Sequence, residues 1–347
     1  MTIANPMVFA INEIYKNRQL ADKFMPDHLL HSYQFDGKGG CVQVSNINFQ
    51  DDSNSHNPIW IHLEADHPET KSWFESNAPF LDSFVVDALL AEETRPRMVQ
   101  IDDAILLNLR GVNLNDIDDP QDMVSIRLWM DEGRIISVRR RKLKAVQEVV
   151  DKLGNGIGPK SSSEFLCTLV SLLFDRMSVT ISALDDRTDN IESELLEAST
   201  SQQRADIVNI RKQAIMFRRY IAPQRDAISQ LRSADYIWIS DSQRTRLQEN
   251  LNEVTRFVED LDAIRERAQI IKDELANMLA DKLNRNMYVL SVIAAIFLPL
   301  GFLTGLLGIN VGGIPGVDNN NAFWIFTGLL VLVVVLQIWI FKKFKWF

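Results

Sequence analysis

The sequence predicts an α/β domain in which helices cover a sheet, followed by a long helical stalk and a two-helix transmembrane hairpin. Three observations carry this reading. Two uncharged apolar runs close the chain, MYVLSVIAAIFLPLGFLTGLL from Met287 to Leu307 and AFWIFTGLLVLVVVLQIWIF from Ala322 to Phe341. Upstream lies a stretch from Ser240 to Leu298 with neither Gly nor Pro. The first part of the chain instead sets short β-branched runs between turn residues. The expected organisation is a cytoplasmic α/β domain over 1–158, a cytoplasmic helical region over 159–286, and the hairpin with its outer loop and basic tail over 287–347.

In the first region, Cys41–Val44, Ile59–Leu63, Met98–Ile101, Ala104–Leu109, Met123–Met130 and Arg134–Arg139 read as strands, and Pro79–Glu92 repeats apolar residues at helical spacing. The N-terminus has no charged segment followed by an apolar run, so no signal peptide is expected. All five histidines lie here: His28, His31, His56, His62 and His67. Imidazole and carboxylate are zinc ligands, and His62 and His67 flank Glu64 and Asp66, which makes these two histidines the metal-site candidates. His62 also alternates with Ile61 and Leu63, as a strand residue would, and the others fall in polar loops. Gly154-Asn155-Gly156-Ile157-Gly158-Pro159 lacks P-loop spacing and reads as a linker. No Ser-His-Asp, Cys-His or paired-carboxylate arrangement stands out, so an enzyme is not expected.

From Ser161 the pattern is helical. Ser161 with Glu164 makes a capping box. The helix that follows turns acidic between Asp185 and Glu197, and after Ser199-Thr200-Ser201 a basic helix carries Arg204, Arg211, Lys212, Arg218, Arg219 and Arg225. The two read as an antiparallel hairpin with complementary charge, its second arm kinked or ended by Pro223. Ser240 with Gln243 caps the longest element. Its stripe of Leu247, Leu251, Val254, Val258, Leu261, Ile264, Ala268, Ile271, Leu275 and Met278 steps by 4 and 3.

Each closing apolar run would span ~30 Å as a helix, the thickness of a bilayer core, and in lipid the backbone must satisfy its own hydrogen bonds. Lys282 and Arg285 precede the first span and Lys342, Lys343 and Lys345 follow the second, whereas the loop Gly308–Asn321 carries only Asp318. The positive-inside rule then places both termini in the cytoplasm. In the first span Ala294, Leu298, Gly301, Gly305 and Gly308 share a face. That face is either a packing stripe or a pore wall, and one hairpin cannot enclose a pathway, so a pore requires several copies. The net charge of −9 argues against nucleic acid and suits gathering of cations. Cys41 and Cys167 stand outside any C-x-x-C and suit a reducing compartment.

The outer loop runs Gly308-Ile309-Asn310-Val311-Gly312-Gly313-Ile314-Pro315-Gly316, with Pro299 in the span before it. With Glu93-Thr94-Arg95-Pro96-Arg97, Arg218-Arg219-Tyr220-Ile221-Ala222-Pro223-Gln224-Arg225-Asp226 and Lys345-Trp346, it resembles the CorA family of divalent-cation transporters. That family ends its first span in Gly-Met-Asn; Ile309 in place of Met is similar to its zinc-transporting ZntB branch. The resemblance implies a funnel-shaped homopentamer in the bacterial inner membrane. It implies a selectivity loop at Gly308, Ile309 and Asn310, and Asn284, Met287, Leu290, Leu298 and Gly301 along the pore, with Met287 and Leu290 as an apolar constriction. Zn²⁺ is then transported substrate, with Cd²⁺, Ni²⁺ or Co²⁺ as related ions, and no cofactor is expected. A Mg²⁺/Co²⁺ channel on the same scaffold and a membrane-anchored metal sensor are the alternatives.

The first span holds no His, Cys, Asp or Glu, only neutral oxygens at its ends and along it: Asn284, Asn286, Ser291, Thr304 and, in the loop, Asn310. Such groups hydrogen-bond a water shell and do not replace it, so a hydrated ion is expected to pass, and Thr304 and Gly305 complete the wall with Ala294. Zinc itself comes only from the resemblance.

Overall fold

A computed structural model describes residues 26–44, 49, 57–92, 94–113, 122–195, 201–309, 314, 316 and 319–344. Of the residues singled out above, His56, Glu93, Glu197, Ser199, Thr200, Asn310–Gly313, Pro315, Asp318, Lys345 and Trp346 lie outside these. The chain divides into two compact units, Met1–Lys272 and Asp273–Phe347.

In the first unit, β1 (Leu29–Phe35), β2 (Cys41–Gln43), β3 (Ile59–Glu64), β4 (Arg97–Ile101), β5 (Ala104–Gly111), β6 (Val124–Met130) and β7 (Arg134–Arg139) form one sheet in the order β2-β1-β3-β7-β6-β5-β4. Only β3 and β7, at its centre, pair in parallel. The six expected strands are present within a residue or two of their expected ends. β1 is the addition, and it corrects the placing of His31 in a loop. Its burial repeats every third residue, with a register shift between Leu29 and His31, so the alternation that marks a half-buried strand is absent from its sequence.

The strands sort their side chains by parity. Ile59, Ile61 and Leu63 join Leu106, Trp129, Ile136 and Val138 in a core with Trp73 and Phe74 of α1 (Thr70–Asn77) and Val85 and Leu89 of α2 (Ser83–Leu90). Trp60 points the other way, its ring 4.8 Å from that of Phe165. That face is covered by α3 (Lys144–Gly154), α4 (Ser162–Leu195) and α5 (Ser201–Ser233), and a Cβ on Gly111 would come within 2.9 Å of Leu143 and Leu173. Neither α1 nor α3 was expected as a separate helix.

Two sequence motifs far apart in the chain meet at Arg110 of β5. Its guanidinium donates to the Thr94 carbonyl at 2.9 and 3.2 Å and lies 4.1 Å over the Tyr220 ring. Its backbone N–H donates to Gln224 Oε1 at 2.7 Å. So the Thr94–Arg97 and Arg218–Asp226 motifs join α5 to the sheet.

The expected cap of α4 forms one residue wider. Glu164 N–H donates to Ser161 Oγ at 3.2 Å, while Glu164 Oε2 accepts from Lys160 N–H at 2.9 Å. Pro223 does not end α5, which continues to Ser233. The charge pairing expected between α4 and α5 is redirected. Asp185, Asp189 and Glu192 of α4 are met by Arg267 of α6 (Asp241–Leu307), and Arg218 of α5 pairs with Asp262 of α6 at 2.6 Å. The α6 stripe is buried, with Leu247, Val254, Leu261, Ile264 and Ala268 each no more than 1% exposed.

The second unit holds the rest of α6 and α7 (Ala322–Lys343).

Candidate functional site: the first membrane helix

Residues 281–291 of α6 are exposed on every side of the helix; from Val292 on, at 3.6 residues per turn, the residues separate onto two faces. Val292, Ala295, Ile296, Pro299, Leu300 and Leu303 are partly buried, and they match a stripe on α7 of Ala322, Phe326, Thr327, Leu330, Val333, Val334, Gln337 and Phe341. On the opposite side of α6, Asn284, Met287, Leu290, Ala294, Leu298, Gly301, Gly305 and Gly308 are all exposed. Helical geometry sets Thr304 about a quarter turn from the centre of that line. The residues singled out for a wall therefore lie on or beside the face that α7 leaves open.

The hairpin also solves the problem that Pro299 creates. Proline has no N–H, so the carbonyl four residues earlier, that of Ala295, loses its helical partner. Gln337 of α7 supplies one, its Nε2 donating to Ala295 O at 3.2 Å. In a bilayer an unmet carbonyl is costly, and a neighbouring helix is the usual remedy. Gln337 was not singled out in the sequence, although an amide inside an apolar run is a signal in itself.

The polar groups on this part of α6 are already oriented. Ser291 Oγ donates to Met287 O at 2.8 Å, and Thr304 Oγ1 donates towards Leu300 O and Gly301 O at 2.9 and 3.1 Å. With their protons used on the helix, these oxygens keep only lone pairs for outside partners. The glycines differ in kind. A Cβ at Gly301 or Gly305 would meet nothing within 4 Å, whereas at Gly308 it would lie 2.8 Å from Thr304 O. Gly308 is thus required by its own helix end, where its N–H donates to Thr304 O at 2.9 Å. Ile309, which follows, is exposed, and Asn310 lies outside the described residues.

The two histidine candidates fare differently. His62 is fully buried in β3, with Nδ1 2.7 Å from Ser137 Oγ. Burial, reinforced by His31 and Arg139, holds its pKa well below the usual imidazole range, so it stays neutral. The carboxylates that neighbour it in sequence are engaged elsewhere, Glu64 with Arg139 and Asp66 with Arg140. His67 instead comes together with His28 and Glu69, and one ligand atom from each lies within 4.8 Å of the others.

Among the described residues, three helices are long and apolar enough to cross a membrane. The most apolar window of α4 is half buried, whereas the windows in α6 and α7 are not buried at all. An α/β unit followed by two exposed apolar helices defines a two-span membrane protein. A sequence model of the family described as CorA-like Mg2+ transporter protein matches residues 55–343. The chain belongs to this CorA family. The zinc transport protein ZntB of Yersinia enterocolitica is 38% identical over 317 residues, 91% of this chain and 95% of that protein. The divalent cation transporter CmaX of Pseudomonas aeruginosa is 38% identical over 322 residues, 92% and 96% of the two chains. Among solved structures, full-length CmaX matches with a TM-score of 0.80 at 37% identity, covering 93% of this chain and 99% of that one. The CorA magnesium transporter of Methanocaldococcus jannaschii matches with a TM-score of 0.76 over 92% and 99% of the chains; at 17% identity it speaks to the fold alone.

Proposed function

We propose that the chain is one subunit of a homopentameric transporter of the bacterial inner membrane that moves hydrated Zn²⁺, with Cd²⁺, Ni²⁺ and Co²⁺ as related cargo. The observation that carries this is the open face of α6. It is exposed along its length in the single chain, continues through Gly301 and Gly305, and belongs to a protein similar to zinc and divalent-cation transporters. Repeated around an axis, that face becomes a wall.

The chemistry of the wall supports a hydrated ion. The waters of a cation turn their oxygens inward and their hydrogens outward, so the shell needs acceptors. Ser291 and Thr304 offer hydroxyl oxygens whose protons are spent on the helix. Removing the shell would require imidazole, thiolate or carboxylate ligands, and the span contains none. Asn284 stands at the cytoplasmic end, and Met287 and Leu290 follow as an apolar ring able to close by dewetting. Gly308, Ile309 and Asn310 form the outer mouth.

The family's description as a magnesium transporter favours a second reading, a Mg²⁺/Co²⁺ channel on the same scaffold. Protein reconstituted in sealed liposomes, with imposed gradients of Zn²⁺ or Mg²⁺ and of pH, separates them. Zinc flux without magnesium flux is the expected result. Magnesium flux alone establishes the second reading, and flux of neither ion leaves a membrane-anchored sensor.

A further inference from the structure

We infer that His28, His67 and Glu69 form a metal site in the α/β domain for a divalent ion of the zinc class. The three residues come from two places. His28 immediately precedes β1, and His67 and Glu69 lie in the turn between β3 and α1. Antiparallel pairing sets Leu29 opposite Leu63, which brings the start of β1 beside the end of β3.

The surroundings are built to hold these side chains. Glu64 N–H donates to His28 O at 2.9 Å, which fixes the His28 backbone against β3. Thr70, itself fully buried, ties down the turn: Oγ1 donates to Glu64 O at 2.6 Å and its N–H to His67 O at 3.1 Å. Glu69 is the N-cap residue of α1, yet its side chain makes no capping hydrogen bond, so the carboxylate is free to turn outward.

Two observations point to a metal. The His28 side chain is 7% exposed, and among the described residues neither of its ring nitrogens has a hydrogen-bond partner. A buried imidazole left so is unusual and asks for a ligand. Its Nδ1 lies 3.3 Å from Glu69 Oε2, within ion-pair reach but off the line of a hydrogen bond. Two ligand atoms at ~2.0–2.1 Å from a tetrahedral zinc would be roughly 3.4 Å apart, which is nearly this spacing. The His67 ring, centred 5.4 Å from that of His28, needs only a small swing to become the third ligand. Its hydrogen bond there, from Glu69 N–H to His67 Nδ1 at 3.3 Å, is long. Coordination removes that bond whichever nitrogen is used: Nδ1 would give up its lone pair, and Nε2 would leave the ring proton on Nδ1.

The donor set selects the ion. Two imidazoles and one carboxylate suit Zn²⁺, Co²⁺ or Ni²⁺, and a half-exposed His67 beside an exposed Glu69 leaves a fourth position for water. Mg²⁺ demands oxygen ligands and does not fit. All residues of the site lie in the first unit.

The test uses full-length protein in detergent, titrated with Co²⁺, whose tetrahedral complexes absorb far more strongly in the visible than the aquo ion. The parent should bind one Co²⁺ per chain with tetrahedral bands that Zn²⁺ abolishes and Mg²⁺ does not. His67→Ala and Glu69→Ala, both at the open side, should each weaken binding on the order of tenfold or more, since even outer-shell changes at metal sites cost that much. Their melting curves without metal should match the parent's, which separates ligand loss from unfolding. Absence of the bands in the parent, or bands of unchanged affinity in both variants, overturns the site. Zinc flux measured on the same proteins keeps the two readings apart: flux without bands defeats only this site, and bands without flux defeat only transport.

Discussion

Gln337 and Pro299 should be energetically coupled, and the coupling can be isolated. Replacing Gln337 with leucine removes the donor to Ala295 O, the carbonyl that Pro299 leaves unmet. The single substitution is ambiguous in sign, because it also removes the buried Oε1 of Gln337, which has no partner. The double-mutant cycle removes the ambiguity. In a Pro299→Ala background, the N–H that the substitution restores can bond Ala295 O within the helix, and Gln337 is no longer needed. Interhelical hydrogen bonds in membranes contribute about 0.6–2 kcal/mol, so Gln337→Leu should be more destabilising by that amount in the parent than in the Pro299→Ala background. Stabilities of the four proteins would come from equilibrium unfolding in mixed micelles followed by circular dichroism. An identical effect of Gln337→Leu in both backgrounds would refute the argument.

Gly301→Ala and Gly305→Ala should leave the single chain intact, with helix propensity gaining ~1 kcal/mol each, because no atom stands within 4 Å of the new Cβ. If neighbouring copies pack there, Gly305→Leu should lower the oligomer mass and abolish zinc flux, whereas the same change at Gly328, also unobstructed, should do neither. Asn310→Ala should sharply reduce zinc flux with the oligomer preserved; unchanged flux would leave the outer mouth without a role for its amide. Met287→Asp should wet the apolar ring and raise basal zinc flux in an intact oligomer, and a variant no more conductive than the parent would move the constriction elsewhere on α6. Burial pushes the Cys167 thiol up to about 11, so near neutral pH it should resist alkylation until the protein unfolds, while the partly exposed Cys41 is labelled first.

The sequence alone determined the parts whose signal is local. Two uncharged runs of membrane length are a property of consecutive residues, and so are the α6 stripe, the six short β-branched or alternating strands and the cap at Ser161. Helical periodicity likewise aligns Ala294, Leu298, Gly301, Gly305 and Gly308, whereas Met287 and Leu290 join them through the family resemblance. Tertiary structure decided what depends on residues distant in the chain. A bulge hides β1 from any period-two reading, so its neighbour in the sheet had to reveal it. The acidic face of α4 found its cation on α6 and not on the adjacent basic helix, because a charge pairs with what packing brings near. Gln337 acquired its purpose only when α7 lay against the carbonyl freed by Pro299. His67 kept company in sequence with Glu64 and Asp66, but arginines took those carboxylates, and strand pairing delivered His28 in their place. Periodicity is written along the chain, whereas a ligand set or an ion pair is written across it, and only the fold brings those residues together.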